Sequence, residues 1–245
     1  MIERIYRRVC TELYKLFGID YFTGARITKR HDLVYLGTDY GGKVIPEDLF
    51  KDGEGICYCA GCGEDISFDI DLIGKHGCMV YGFDPTPRAI RYVKRVMHSN
   101  PNYHLSDFGL WCCDDELFFY APKNPKHVSY SALNLQKTRA FVPFRVKRLR
   151  RIMEANRHKA LRLLKLDIEG AEYVVLRSLI DDDLHVTVIC VEYDEYLMPL
   201  DKVARRRVQD SVKHLMMYGY DMVHAKNGNY TFVRKGTAAK FPEKA

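Results

Sequence analysis

Four short apolar runs constrain this chain more than any other feature. They are GICYCA (55–60), CMVYGF (78–83), LRLLKL (161–166) and HVTVICV (185–191). The first leads into Gly61-Cys62-Gly63, and the other three lead onto Asp84, Asp167 and Glu192. Runs of this length suit buried strands. Helical patterns separate them. Ile66, Ile70 and Ile73 form an apolar stripe over 65–75, and Pro85-Thr86-Pro87 opens a helix over 88–98. Further helices are expected at 169–179 and 203–217. Alternating strands and helices require a mostly parallel sheet with helices on both faces. The end of the chain breaks the alternation. Tyr220–His224 and Tyr230–Arg234 flank Lys226-Asn227-Gly228-Asn229, and Asn-Gly between strand patterns marks a hairpin. The expected fold class is α/β and Rossmann-like, with seven strands and a closing antiparallel hairpin.

The remaining segments are read more coarsely. Leu33–Leu36 is a short strand, followed by the turn-rich TDYGGKVIPEDLF. Short strands fill 102–120, and a polar loop fills 121–140. Val142–Val146 reads as an edge strand before a basic helix, Lys147 to Arg157. Met1 to Gly18 reads as an amphipathic helix, because Ile2, Ile5, Tyr6, Cys10, Leu13, Tyr14 and Phe17 recur at helical spacing among scattered charges. Residues 1–50 are therefore expected to be a helical cap covering substrate and cofactor, and 51–245 the main domain.

With 47% hydrophobic and 29% charged residues the chain is that of an ordered globular protein. It has no apolar run of about 18 residues, the length a membrane helix needs. The expected location is cytoplasmic, and its eight cysteines are expected as free thiols. Cys57, Cys59 and Cys62 form CxCxxC. The first two alternate within an apolar strand and no second Cys/His cluster follows, so no metal site is assigned. The net charge of +6 gathers at 145–151, 157–162 and 205–207. Such clusters are ordinary solvated helix faces, and they also attract anionic substrates.

The glycine turn carries the chemistry. Gly61 and Gly63 lie after a strand and before a helix, where a ligand can approach the backbone. About twenty residues on, Asp84 ends the next strand, where a carboxylate can accept hydrogen bonds from ribose hydroxyls or cap the following helix. Asp65 and Pro85 flank these positions. Asp107 and Phe108, after the third strand, are candidates for an adenine contact. A second cluster stands at the LRLLKL strand end: Asp167, Glu169 and Glu172 in KLDIEGAEY. Helix N-termini favour acids, which accounts for Glu169 and Glu172 better than for Asp167. Glu192 ends a neighbouring strand and can converge with Asp167 over the sheet edge.

Several motifs, in order, resemble the FkbM-type methyltransferases: YGGKVIPEDLF, CGEDISFDIDLIGKHG, YGFDPTPRAI, FYAPKNPKHVSYSALNL, KLDIEGAEYVVLRSL and VICVEYDEY. The resemblance spans about Val34 to Glu195. It implies a class I methyltransferase fold, S-adenosylmethionine as donor, S-adenosylhomocysteine as product, and transfer to a hydroxyl, commonly on a sugar or a polyketide-like product. It also implies that Gly61 and Gly63 line the methionine part, that Asp84 binds ribose and that Asp167 faces the methyl-transfer centre. Three positions depart from the family pattern. Cys59 stands where an acid is usual, Asp65 replaces the third glycine, and Tyr193-Asp194 stands where a histidine is common.

Removing a proton from an alcohol calls for a base, and the candidates are Asp167, Glu169 and Glu192, in that order. A divalent ion on such carboxylates is compatible with the sequence but not required by it. The expected acceptor is a small molecule or glycan, with an anionic one favoured by the charge. Two other functions fit the same residues. Basic helices suit a nucleic-acid (RNA) methyltransferase, and Cys59 with the missing histidine suits a non-catalytic cofactor-binding protein. GCGED lacks the full GxGxxG of a nicotinamide enzyme.

Overall fold

A computed structural model describes residues 10–237 apart from 12 and 15. Most of the helix expected over Met1 to Gly18 lies outside these residues. The central sheet contains β3 (Ile56–Ala60), β4 (Met79–Phe83), β5 (Tyr103–Ser106), β9 (Leu161–Leu166), β10 (Val186–Glu192), β11 (Tyr220–Lys226) and β12 (Asn229–Arg234). Their spatial order is β11-β12-β10-β9-β3-β4-β5. All pairs are parallel except those of β12, which runs antiparallel to both β10 and β11. This is the Rossmann-like arrangement expected, hairpin included.

Alternate residues of each strand feed two cores. Tyr58, Ala60, Leu164, Leu166, Ile189 and Val191 face α4 (Glu172–Asp181) and α5 (Ala204–Met217). Cys57, Cys59, Leu163, Val188 and Cys190 face α1 (Ser67–His76), and α2 (Pro87–Val96) adds Val93 to the same core. The period of two is that of pleated strands covered on both sides. Cys57, Cys59 and Cys62 are thus core residues. Burial pushes their thiols up, away from the thiolate that metals require.

Two segments differ from expectation. Within TDYGGKVIPEDLF, β2 (Lys43–Pro46) pairs antiparallel with β1 (Leu33–Leu36), and a 3-10 turn follows at Glu47–Phe50. The connection closes so tightly that a Cβ on Gly42 would lie 2.5 Å from the carbonyl oxygens of Leu36 and Thr38. Thr231 donates its hydroxyl to the Val44 carbonyl at 2.6 Å, so this hairpin docks on the main sheet beside β12. The segment expected as an edge strand is instead β8 (Phe141–Arg148), the middle strand of a separate sheet between β6 (Gly109–Trp111) and β7 (Asp115–Tyr120). Phe119, Phe144 and Val146 give that sheet its own small core. Because β8 runs through Arg148, the helix after it, α3, is shorter than expected, Leu149–Ala155.

The chain passes from β3 outward to β5, then returns to build β9 and β10 on the other side of β3. The strand order therefore reverses between β3 and β9, and the cleft beyond their carboxyl ends is where α/β sheets bind ligands. There the Asp167 amide donates to the Ala60 carbonyl at 3.2 Å. Gly61 has φ +80, and a Cβ on it would sit 1.7 Å from the Asp167 carbonyl oxygen. Gly61→Ala is therefore expected to cost more than about 4 kcal/mol. Gly63→Ala, at φ +54 where a Cβ would make only an ordinary contact with Val128 Cγ2 at 3.7 Å, should cost about 1–2 kcal/mol, the ordinary left-handed penalty. Thermal unfolding of the two variants checks this, and equal losses would contradict it.

Candidate functional site

The glycine turn is shaped by a buried carboxylate. Asp84 is 5% exposed. Its Oδ2 accepts the amides of Cys62 at 3.0 Å and Gly63 at 2.9 Å. Its Oδ1 accepts the Thr86 amide at 2.8 Å and the Thr86 hydroxyl. These four bonds occupy both oxygens, so Asp84 fastens the glycine turn to the loop that opens α2. Burial nevertheless pushes its carboxyl above the ordinary range, with the four donors opposing. A ribose hydroxyl at this carboxylate would exchange with one of these donors.

Beside the turn stands a cluster of acids around two buried lysines. The hairpin brings in Lys43, which is 3% exposed and pairs with Glu192 and, at 3.3 Å, with Asp167. Lys165, from β9, donates to the Gly61 carbonyl at 2.7 Å and lies 3.6 Å from Asp167. Burial opposes charge on all three of Asp167, Lys43 and Lys165. The attraction between them prevails, lowering the carboxyl of Asp167 and raising both lysines. A divalent ion at Asp167 and Glu192 would have to displace these ammonium groups.

The other acids are driven the opposite way. Burial, with Asp167 and Glu192 nearby, pushes Glu169 up to about 7, although Ser129 hydrogen-bonds to it. Glu172 is fully buried and is pushed up to about 8. Its Oε1 accepts the amides of Ile168 at 3.0 Å and Gly170 at 3.1 Å. That bond pair bends the strand-to-helix loop, which puts Glu169 at φ +55 and Gly170 at φ +101. Helical geometry is impossible at those angles, so α4 starts at Glu172 and not at Glu169. Asp194 is pushed well above its usual range by burial and four neighbouring acids. Glu169 Oε2, Glu172 Oε2 and Asp194 Oδ2 are buried without a hydrogen-bond partner.

One cavity, partly open to solvent, joins these parts. Gly61, Gly63, Asp65, Asp84 and Pro85 line it together with Asp167, Glu169 and Glu192. Phe83, Leu110 and Phe119 form an apolar wall, and Tyr40, 81% exposed, stands at the rim. Asp65 is turned to the hairpin, accepting from the Thr38 hydroxyl and the Ser67 amide. Asp107 and Phe108 are not brought in. Asp107 faces solvent and pairs with Arg145 at 2.9 Å. Phe108 packs on Phe83 beneath the Lys147 ammonium, 4.6 Å from its ring centre. The chain turns after β5, so it is Gly109 and Leu110, just beyond, that reach the cavity.

Sequence reasoning missed Lys43, Lys165 and the cavity-facing Phe119 and Ser129. A lone lysine inside LRLLKL is a legible signal for Lys165. Nothing local marks Lys43, whose partner Glu192 lies 149 residues away.

The family model described as "Methyltransferase FkbM domain" matches residues 62–218. No curated protein sequence matches the chain. Among solved structures, the fibrillarin pre-rRNA processing protein of Methanococcus jannaschii is 12% identical, with 86% of each chain covered and a TM-score of 0.43. A putative caffeoyl-CoA O-methyltransferase from Staphylococcus aureus is 10% identical, covering 74% of this chain and 76% of that one, with a TM-score of 0.42. The N-methyltransferase NodS of Bradyrhizobium japonicum, in complex with S-adenosylhomocysteine, is 9% identical, covering 74% and 78%, with a TM-score of 0.36. At such values nothing about substrate is transferred.

The buried acids make stability depend on pH. Folded Glu172 keeps its proton up to about 8, while an unfolded glutamate releases it near 4.5. Folding thus binds a proton between those values, and stability falls as pH rises through that window. Glu172→Gln preserves the acceptor for Ile168 and Gly170 but cannot titrate. Its melting temperature relative to wild type should rise between about pH 5 and about pH 8. A difference independent of pH would contradict the assignment.

Proposed function

The chain belongs to the FkbM methyltransferase family, and on that premise we propose that it transfers a methyl group from S-adenosylmethionine to a hydroxyl of a sugar or glycan. The observation that carries the reading is Glu169: a cavity-lining carboxylate, poised near 7, with one buried oxygen unpartnered.

The residues present suit the donor. Phe83, Leu110 and Phe119 offer an apolar wall for a purine, and Gly61 and Gly63 expose backbone. The unpartnered oxygens of Glu169 and Asp194 offer acceptors to the cationic methionine end. These acids stand in for the one missing at Cys59. When bound, S-adenosylmethionine supplies a methyl group already activated on a sulfonium. The chain's own work is to align the acceptor, exclude water and take a proton. Asp167 suits the last task poorly, because Lys43 and Lys165 stabilise its charge. Glu192 is occupied by its ion pair with Lys43. Glu169 therefore takes the hydroxyl proton, while Asp167 and Glu192 hold the lysines and set the field. Tyr40 and Gly41, on the β1–β2 connection, support a covering role for part of residues 1–50.

A base that must first lose its own proton gives a rate that rises with pH. For an acceptor found by screening sugars and glycans with labelled S-adenosylmethionine, kcat/KM should climb to a plateau above an apparent pKa near 7. Glu169→Gln should lower kcat by about 10²–10⁴-fold and abolish that limb. Full activity in this variant would remove Glu169 from the role.

A further inference from the structure

The chain's positive excess sits in one place. From Leu117 to Met153 there is no aspartate or glutamate, yet there are nine lysines and arginines. Taking those nine from the chain's 38 leaves 29 against 32 acids, so the rest is slightly acidic. The stretch comprises most of β7, the long loop after it, β8 and the start of α3. Arg145 pairs with Asp107, and Arg148 and Arg150 pair with Asp182. The other six, Lys123, Lys126, Lys137, Arg139, Lys147 and Arg151, are exposed and make no ion pair among the described residues. Solvated surfaces ordinarily intersperse both signs. An acid-free module with six unmatched cations repels itself and raises the local concentration of anions.

Two further observations place this charge. Phe118 and Phe141, 60% and 52% exposed, pack edge to face on the same small sheet with ring centres 4.8 Å apart. Phe119, Val128, Ser129 and Tyr130 of the same module line the cavity. Whatever lies along the module thus has a short path to Glu169.

We infer that this module docks the acceptor, and that the acceptor is a polyanionic glycan: a saccharide chain bearing carboxylate, sulfate or phosphate groups. This rests on the methyltransferase reading of the cavity. The exposed rings offer apolar surface to sugar C–H faces, and the cations take the charges. Single-stranded nucleic acid fits less well. Its bases call for a series of parallel stacking platforms, whereas these two rings are crossed at 65°. A ribose hydroxyl also carries a phosphate close by, and the lysine that lines the cavity, Lys165, is already taken up by Asp167 and the Gly61 carbonyl. A glycan can hold its charges away from the reacting hydroxyl.

The test is binding of the full chain to labelled oligosaccharides of heparin and of alginate, with neutral dextran and poly(U) as comparisons, at about 50 and about 300 mM salt. Both anionic glycans should bind, dextran should not, and the higher salt should weaken binding by about tenfold or more. Lys123→Glu/Lys126→Glu/Lys137→Glu/Arg139→Glu should weaken glycan binding by about tenfold or more while keeping the wild-type melting temperature and S-adenosylhomocysteine affinity. If that variant does not fold, the pairs Lys123→Glu/Lys126→Glu and Lys137→Glu/Arg139→Glu are measured separately, each expected to lose binding in part. Unchanged glycan binding in the folded variants would overturn the inference. So would tighter binding of poly(U) than of either glycan, which would mark a nucleic-acid partner. S-adenosylhomocysteine binding with no glycan binding would overturn it and leave the methyltransferase reading standing. Glycan binding without S-adenosylhomocysteine binding would support the docking surface and sink that reading instead.

Discussion

The site depends on one buried ammonium group. Lys43 reaches from an N-terminal hairpin to the carboxyl ends of two adjacent strands and holds Asp167 and Glu192 together. Acids at neighbouring strand ends repel, and burial raises the cost of their charge. With Lys165 on the other side of Asp167, the repulsion becomes a compact ionic group. Truncating Lys43 would leave Glu192 without its ion pair and Asp167 with Lys165 alone, so the acids at the two strand ends would again repel. The docking of the hairpin and the chemistry of the cavity are therefore one structural fact.

The ionic group also divides the acids by role. Asp167 is held charged, and Glu192 is bound to the same ammonium. Glu169, Glu172 and Asp194, beyond the reach of the lysines and next to that fixed negative charge, are pushed towards the protonated form. Carboxyls whose environments push their affinities apart are the usual source of acid and base roles in one site. Glu172 works through the backbone. Its two accepted amides shape the loop that presents Glu169 to the cavity.

The fold was legible because its signals are local. Apolar runs ending in acids gave the parallel strands, and Asn227-Gly228 gave the hairpin that sits at the sheet edge. The glycine turn and the acids of KLDIEGAEY were legible for the same reason. What escaped was assembled over distance. The strand Lys43–Pro46 hides among turn residues and exists through pairing with Leu33–Leu36. Phe141–Arg148 alternates like an edge strand, but only its partners reveal a second sheet. Asp107 and Phe108 follow a strand as an adenine contact would, and the turn after Ser106 carries them out to Arg145 and Lys147. The state of Asp167 could not be read either, since a strand-end acid looks alike in sequence whether or not a lysine meets it.

The claim on which everything else stands is that this cavity takes a sulfonium methyl donor. Thermal unfolding with S-adenosylmethionine, S-adenosylhomocysteine and NAD tests it most directly. At about a hundredfold excess over Kd, a bound ligand adds about 2.7 kcal/mol. For a domain of this size that raises Tm by roughly 5–10 °C. Both sulfur compounds should give such a rise and NAD none. A rise with NAD alone, or none with any of the three in a folded sample, would contradict the claim.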